Sequence, residues 1–198
     1  MLTYWYQLSL ISELQPLTLL EVGVGTGLVT AYLRHTGIAV TTLDINPRLE
    51  PDHIGSILAL PESLVNEAFD MVLCSRVLHH IGFEDFELAL SNLARLTRRD
   101  CLITLPVDDF RLYLMSRVTS SGIHTRSIPL PLSLKRFLMK LKGNGAGGGI
   151  WKVNSSRATT QDKIVEALSR YLRIVRVFRI PENQSHLVLV LRKKDDEE

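Results

Sequence analysis

The segment EVGVGTG, residues 21–27, places an acidic side chain and three alternately spaced glycines within seven residues. Glycine accepts positive φ and lets a ligand approach the backbone closely. Such a turn is either a plain glycine-rich connection or a cradle for a nucleotide-like group. A dinucleotide fingerprint needs glycines at its first, third and sixth positions. Counted from Gly23, the sixth position is Leu28, and the third glycine arrives one place early, at Gly27. The NAD pattern is not met. Asp44 follows Gly23 by 21 residues and closes an apolar run. A carboxylate there can accept hydrogen bonds from both hydroxyls of a ribose; its other reading is a cap ahead of Pro47. Glu21 lies inside an apolar run, where an unpaired carboxylate is costly to bury. A cationic ligand group, such as the ammonium of an amino acid, would account for it. Loop and acids together point to an adenosine-bearing cofactor.

Positioning these residues requires strands that end at the glycines and at Asp44. Helical spacing predicts a helix over residues 3–14, ended by Pro16. A buried strand over 17–23 meets the glycine turn, and a helix over 28–37 follows with Gly37 as its C-cap. Further strands are expected over 39–45, 69–75 and 101–106, with a weak third strand or loop over 55–60. Residues 47–54 read as a turn or irregular helix, and residues 83–96 as a strong helix. This alternation predicts a doubly wound α/β sheet with right-handed crossovers. Near the end, a helix over 160–171 precedes strands over 173–180 and 186–192. Only PENQS separates those strands, too few residues for a helical crossover, so they should pair antiparallel.

A chain of 198 residues, 45% hydrophobic and 22% charged, fits one globular domain spanning 1–198. No apolar run approaches the roughly 20 residues that span a bilayer. The first residues lack a basic n-region and a cleavage site, so no signal peptide is expected. The two cysteines, Cys74 and Cys101, sit in apolar runs and are expected to be reduced, buried thiols of a cytoplasmic protein. The net charge of +2 conceals an asymmetry: residues 110–161 hold nine Lys and Arg and no Asp or Glu. Residues 107–150 are therefore expected to form a basic, lid-like insert, and 193–198 a charged tail. Within the insert, residues 110–118 read as a lid helix, 132–142 as an amphipathic basic helix and 143–149 as a hinge or disordered loop. That basic helix either caps the core with a solvated face or meets an anionic substrate, a lipid or RNA.

The E-x-G-x-G-x-G loop, Asp44, GSILALP and FDMVLCSRVLHHI together resemble the class I S-adenosylmethionine (SAM)-dependent methyltransferases of the type 11 kind. The FDMVLCSRVLHH stretch is similar to the subgroup that includes ubiquinone and menaquinone biosynthesis methyltransferases. The resemblance implies a Rossmann-like seven-stranded sheet, mostly parallel with an antiparallel last strand and helices on both faces. It implies SAM as cofactor, with Gly23, Gly25 and Gly27 passing beneath its methionine and ribose. Glu21 would lie near the amino-acid end, Asp44 would hold the ribose and Ile45 would lie against adenine. Ser56 and Ile57 would border the adenine edge. Family members often carry Asp where this chain has Ser56, and a serine accepts a hydrogen bond less strongly. Ser75 would end the fourth strand at the ligand side of the sheet.

His79 and His80 follow that strand and are either base candidates or structural histidines. Arg76 either binds an anionic substrate or faces solvent. Asp108 and Asp109 are alternative bases or turn residues. Tyr4, Trp5, Tyr6 and Trp151 either close the pocket or pack ordinarily. No zinc-ligand spacing is present. The expected function is methyl transfer to a small-molecule or lipid-like acceptor. Alternatives are an RNA methyltransferase using the basic insert, or a non-catalytic SAM-binding protein. Against RNA, the chain reads CSRV where some nucleic-acid amino-methylating families carry N/D-P-P-Y/F.

Overall fold

The computed structural model describes residues 2–65, 68–108, 111–118, 122–129, 150–181 and 183–194. In chain order the elements are α1 (Leu2–Leu14), β1 (Thr18–Val22), α2 (Leu28–His35), β2 (Ala39–Asp44), β3 (His53–Ile54) and β4 (Phe69–Ser75). Then follow α3 (Phe86–Leu96), β5 (Thr97–Pro106), β6 (Arg111–Val118), β7 (Gly122–Pro129), α4 (Gln161–Tyr171), β8 (Leu172–Ile180) and β9 (Asn183–Lys193). Seven strands form one sheet in the order β3-β2-β1-β4-β5-β9-β8. The first five run parallel, and β9 is antiparallel to both β5 and β8. This is the Rossmann-like α/β sheet with an antiparallel last strand that the sequence implies. From β1 the chain first builds outward to β2 and β3, then crosses to β4 on the other side. Open α/β sheets bind ligands at the carboxyl ends of the strands beside such a switch.

Side chains alternate along each strand, so the inner strands feed two layers. Leu20, Val22, Val72, Cys74, Cys101 and Ile103 pack with Leu90 and Leu93 of α3 and Ile164 and Leu168 of α4. Leu19, Met71, Leu73, Leu102, Val188 and Val190 pack with Leu10 and Ile11 of α1 and Val29 and Leu33 of α2. Burial on both faces explains why β1 and β4 read as near-continuous apolar runs. Helix α2 ends as its sequence suggests. Gly37 N–H donates to Arg34 O and Ile38 N–H to Leu33 O, both at 3.1 Å, the paired bonds of a Schellman cap.

Three expectations are corrected. The third strand lies at His53–Ile54, ahead of residues 55–60, which form a tight loop with Ala59 N–H donating to Ser56 O at 3.1 Å. The Asp52 carboxylate accepts from both the backbone N–H and the hydroxyl of Thr42, at 2.8 Å each, and so draws the chain back beside β2 early. Strand β5 begins at Thr97 rather than Cys101. Buried Asp100 can enter the strand because Arg192 and Arg99 neutralise it at 2.9 and 2.8 Å. The lid helix expected over 110–118 is instead strand β6, paired antiparallel with β7 from Arg111↔Pro129 to Val118↔Gly122. The partner segment carries Ile123, Thr125 and Ile128, residues that favour strands, and cross-strand pairing outweighs a weak helical spacing. The basic helix over 132–142, the hinge over 143–149 and Asp109 lie outside the described residues. Among the described residues, no helix is long and apolar enough to cross a membrane.

Leu73, fully buried in β4, tests the sheet's central packing. Leu73→Ala should cost about 2–5 kcal/mol, lowering the urea midpoint with little change in slope. A midpoint equal to the parent's would contradict the buried placement.

Candidate active site

Strand β1 ends where its neighbour β2 ends, with Val22 beside Leu43. Gly23 N–H donates to Leu43 O at 2.8 Å, and the chain then turns through positive φ at Gly23, Gly25 and Gly27 (84°, 56° and 72°). Asp44 fastens this turn from the side. Its Oδ2 accepts from Val24 N–H and its Oδ1 from Asn46 N–H, both at 2.8 Å. A carboxylate has about four lone-pair sites, so two further donors can still be accommodated. Gly23 is doubly constrained: a Cβ at its position would sit 2.3 Å from Val77 Cγ2.

A cavity of about 560 Å³ opens over the loop, a size that suits a small ligand or cofactor. Its floor includes Glu21, Gly23 and Gly25; Asp44, Ile45 and Leu49 stand on one side, with Ser56 and Ile57 beyond. Ser75, Arg76, Val77 and His80 form the opposite side. The sequence candidates Glu21, Gly23, Gly25, Asp44, Ile45, Ser56, Ile57, Ser75 and His80 thus converge on one wall system. Gly27 and His79 do not line it. Gly27 is instead the N-cap of α2.

Glu21 is 5% exposed, and the Thr30 hydroxyl donates to its carboxylate. Burial pushes the Glu21 carboxyl up to about 7, against the Thr30 hydrogen bonds and the Arg34 charge, which favour ionisation. A cationic group beside it would restore its charge, so Glu21 fits an ammonium-bearing ligand. Ile45 is 73% exposed at the cavity mouth, an apolar surface suited to a flat ring. Ser56 Oγ accepts Leu58 N–H at 3.1 Å, and the Asn92 amide of α3 donates to Ile57 O at 2.7 Å, which anchors this loop. These observations fit the adenosine and amino-acid parts of SAM.

Of the roof, the sequence pointed only to Tyr4. Thr3, Tyr4 and Gln7 of α1 close the cavity from above. Tyr4 Oη lies 3.4 Å from Thr26 Oγ1. Gln7 donates to Ser75 Oγ, which lies 2.7 Å from Thr104 Oγ1. The available signal was polar Gln7 at core spacing with Leu10, Ile11 and Leu14. Of the four aromatics considered for closure, only Tyr4 reaches the wall. Trp5 is exposed, Tyr6 packs near Phe178, and Trp151 packs edge-on against Phe83 and Phe86 while donating to Ile81 O at 3.0 Å.

His80 is exposed at the wall; His79 lies behind it, 5% exposed, with ring centroids 4.0 Å apart. Burial first, then the neighbouring charges of His80 and Arg76, push the His79 imidazole down to about 4. Its Nδ1 has no hydrogen-bond partner among the described residues. Asp108 follows β5 and donates its N–H to Val153 O at 2.8 Å. Cys74 and Cys101 are buried free thiols, as expected.

Residues 20–105 match a family model described as a methyltransferase domain. Over this stretch the chain is similar to class I SAM-dependent methyltransferase domains. No curated protein matches the chain in sequence. Solved structures similar to the chain share its fold. The 1,6-didemethyltoxoflavin-N1-methyltransferase of Burkholderia thailandensis, with bound S-adenosylhomocysteine (SAH), is 18% identical, with 95% of this chain and 76% of that chain covered and a TM-score of 0.58. The magnesium protoporphyrin IX methyltransferase of Synechocystis is 15% identical, covering 97% and 82%, with a TM-score of 0.64. An N-methyltransferase of Bradyrhizobium japonicum is 15% identical, covering 98% and 95%, with a TM-score of 0.60.

Two predictions follow from the geometry of the loop. Gly23→Ala should destabilise the domain, with about 1–2 kcal/mol from the positive φ alone and more from the Val77 contact. Adding Val77→Ala should recover the contact part only; full recovery in urea melts would refute the φ constraint. The second concerns pH. Between about 4.5 and 7 the folded ligand-free chain holds a proton on Glu21 that the unfolded chain has lost, so this group's contribution to stability falls as pH rises. His79 acts oppositely: between about 4 and 6.5 the unfolded chain binds the extra proton, so stability rises with pH. Glu21→Gln should therefore make stability rise more steeply from pH 4.5 to 6.5 than in the parent. Parallel profiles would refute the Glu21 assignment.

Proposed function

We propose that the chain transfers a methyl group from SAM to a small-molecule or lipid-like acceptor in the cavity between the glycine loop and the end of β4. The observation that carries this reading is Asp44. Its carboxylate fastens the loop through Val24 and lines the cavity with acceptor capacity to spare, as a ribose site requires. In this reading the backbone at Gly23 and Gly25 runs beneath the methionine and ribose, and Gly27 starts the helix behind them. Glu21 meets the ammonium. Ile45 covers one adenine face, while Ser56 and Ile57 border its edge and Ser75 stands at the methyl side.

When bound, SAM supplies the methyl group and keeps the electron pair of the breaking carbon–sulfur bond. The chain's own task is chiefly alignment and exclusion of water. The α1 roof serves that task, with Gln7 fixing Ser75 from above. Where the acceptor must lose a proton, an imidazole nitrogen of His80 receives it at the wall, and His79 packed behind keeps that ring in place. The likeness in fold to enzymes named for a toxoflavin precursor and a porphyrin supports a small acceptor. The roof that α1 places over the cavity also favours it over RNA.

Calorimetry tests the cofactor part. SAM and SAH should bind, and Asp44→Ala should weaken both by about tenfold or more, the loss of a charge-assisted hydrogen bond. Unchanged affinity would remove the ribose role, and no binding at millimolar ligand would overturn the whole reading. Labelled methyl transfer into cell extract should deposit label in small-molecule or lipid fractions; label in RNA alone would favour the other acceptor.

A further inference from the structure

We infer that the acceptor carries a carboxylate or phosphate, held at the rim of the cavity by Arg76, His80, Lys152 and His186. This rests on the methyl-transfer reading above and adds the chemical class of the acceptor.

Backbone hydrogen bonds bring these four residues from separate stretches of chain to one edge of the sheet, beside the cavity that Arg76 and His80 line. Arg76 ends β4 and donates its N–H to Thr104 O of β5 at 3.0 Å. Two residues further along β5, Pro106 pairs with His186 of β9. The Pro106 carbonyl also accepts Val153 N–H at 2.9 Å, which sets Lys152 beside the same edge. Ile150 N–H reaches back to His79 O at 2.8 Å, joining this stretch to the histidine pair. Arg76, His80, Lys152 and His186 are all close enough for their charges to bear on buried His79, and each disfavours its protonation.

Among the described residues, no carboxylate forms an ion pair with Arg76, His80, Lys152 or His186. Asp108, at the same rim, is engaged in a contact of its own. Several other arginines are paired: Arg34 holds Asp52, Arg98 holds Asp70, Arg170 holds Glu87 and Arg192 holds Asp100. Gathering the cations Arg76 and Lys152 at one rim, beside the imidazoles of His80 and His186 that can donate N–H bonds, costs energy that a bound anion relieves. Burial and then Arg76 push the His186 imidazole below its ordinary value. Arg76 adds a second sign. Its φ of +58° is a left-handed conformation that strains a non-glycine residue and gathers at ligand sites. Its guanidinium offers the planar fork that carboxylate and phosphate accept bidentately. Arg76 and His80 line the cavity itself, so the anion lies next to the place where methyl transfer would occur.

The test uses the full chain saturated with SAH, titrated at low ionic strength with benzoate and phenyl phosphate against their neutral counterparts benzamide and phenol. At least one anion should bind about tenfold more tightly than its neutral counterpart, and which one does so names the group. Arg76→Gln should erase that preference. Lys152→Gln, a change off the cavity wall, should weaken anion binding in the same direction and guards against a folding defect in the first variant. Equal binding of neutral and charged probes, failure of both anions to bind, or insensitivity to both substitutions would overturn the inference. So would tight retention of a short RNA by a chain that ignores both small anions, which would assign the rim to a polyanion. SAH binding, measured first in the same cell, separates the two readings. Its absence defeats the cofactor assignment, whereas its presence without anion preference defeats only the acceptor class.

Discussion

The carboxylate of Asp44 ties two strand ends into one ligand-binding edge. Through Oδ2 it holds Val24, the residue between the first two glycines, and through Oδ1 it holds the turn that leaves β2. Without that pair of bonds, a loop with three glycines at positive φ would sample many conformations and lose entropy each time a ligand ordered it. With them, the loop is shaped before any ligand arrives. The same group therefore serves folding and recognition, because a carboxylate can accept more donors than two backbone amides supply.

The two layers of the sheet divide the labour. On the α1 and α2 side, the alternation that buries Leu19 and Met71 continues outward to Glu21 and Ser75, so the core gives way to polar groups just as the strands end. Thr30 of α2 and Gln7 of α1 satisfy those groups from the covering helices. On the α3 and α4 side the layer stays apolar to its limit, where Trp151 closes it against Phe83 and Phe86. Glu21 and Ser75 thus each have a partner on a covering helix, which explains how a carboxyl as deeply placed as Glu21 is tolerated in an otherwise hydrophobic strand.

Much of this could be read along the chain because the informative residues lie close together. Gly23, Gly25 and Asp44 belong to consecutive elements, and the strands that carry them are nearly continuous apolar runs whose ends are marked by glycine or acid. What escaped depends on contacts distant in sequence. Gln7 meets Ser75 across 68 residues, and Asn92 holds the Ser56 loop across 35. Gln7 shows along the chain only as a polar residue at core spacing, and Asn92 carries no local signature. His79 and His80 looked equivalent as neighbours, yet one is buried and the other lines the wall, since adjacent residues in a tight turn face different ways. The lid helix expected over 110–118 failed for a related reason: among the described residues, β6 pairs with the segment directly after it, and such a strand shows itself in that partner, not in its own spacing.

Cys74 and Cys101 have a practical consequence of their own. They occupy adjoining central strands, both wholly shielded, with burial pushing the Cys101 thiol up to about 12 and the Cys74 thiol well above its ordinary value. Neither thiolate forms, nor can a reagent reach it, while β4 and β5 stay closed between their helical layers. Alkylation of the native chain must then wait for an excursion that parts the middle of the sheet. The pair is a built-in clock for such openings, and whatever fills the cleft at the strand ends will slow it.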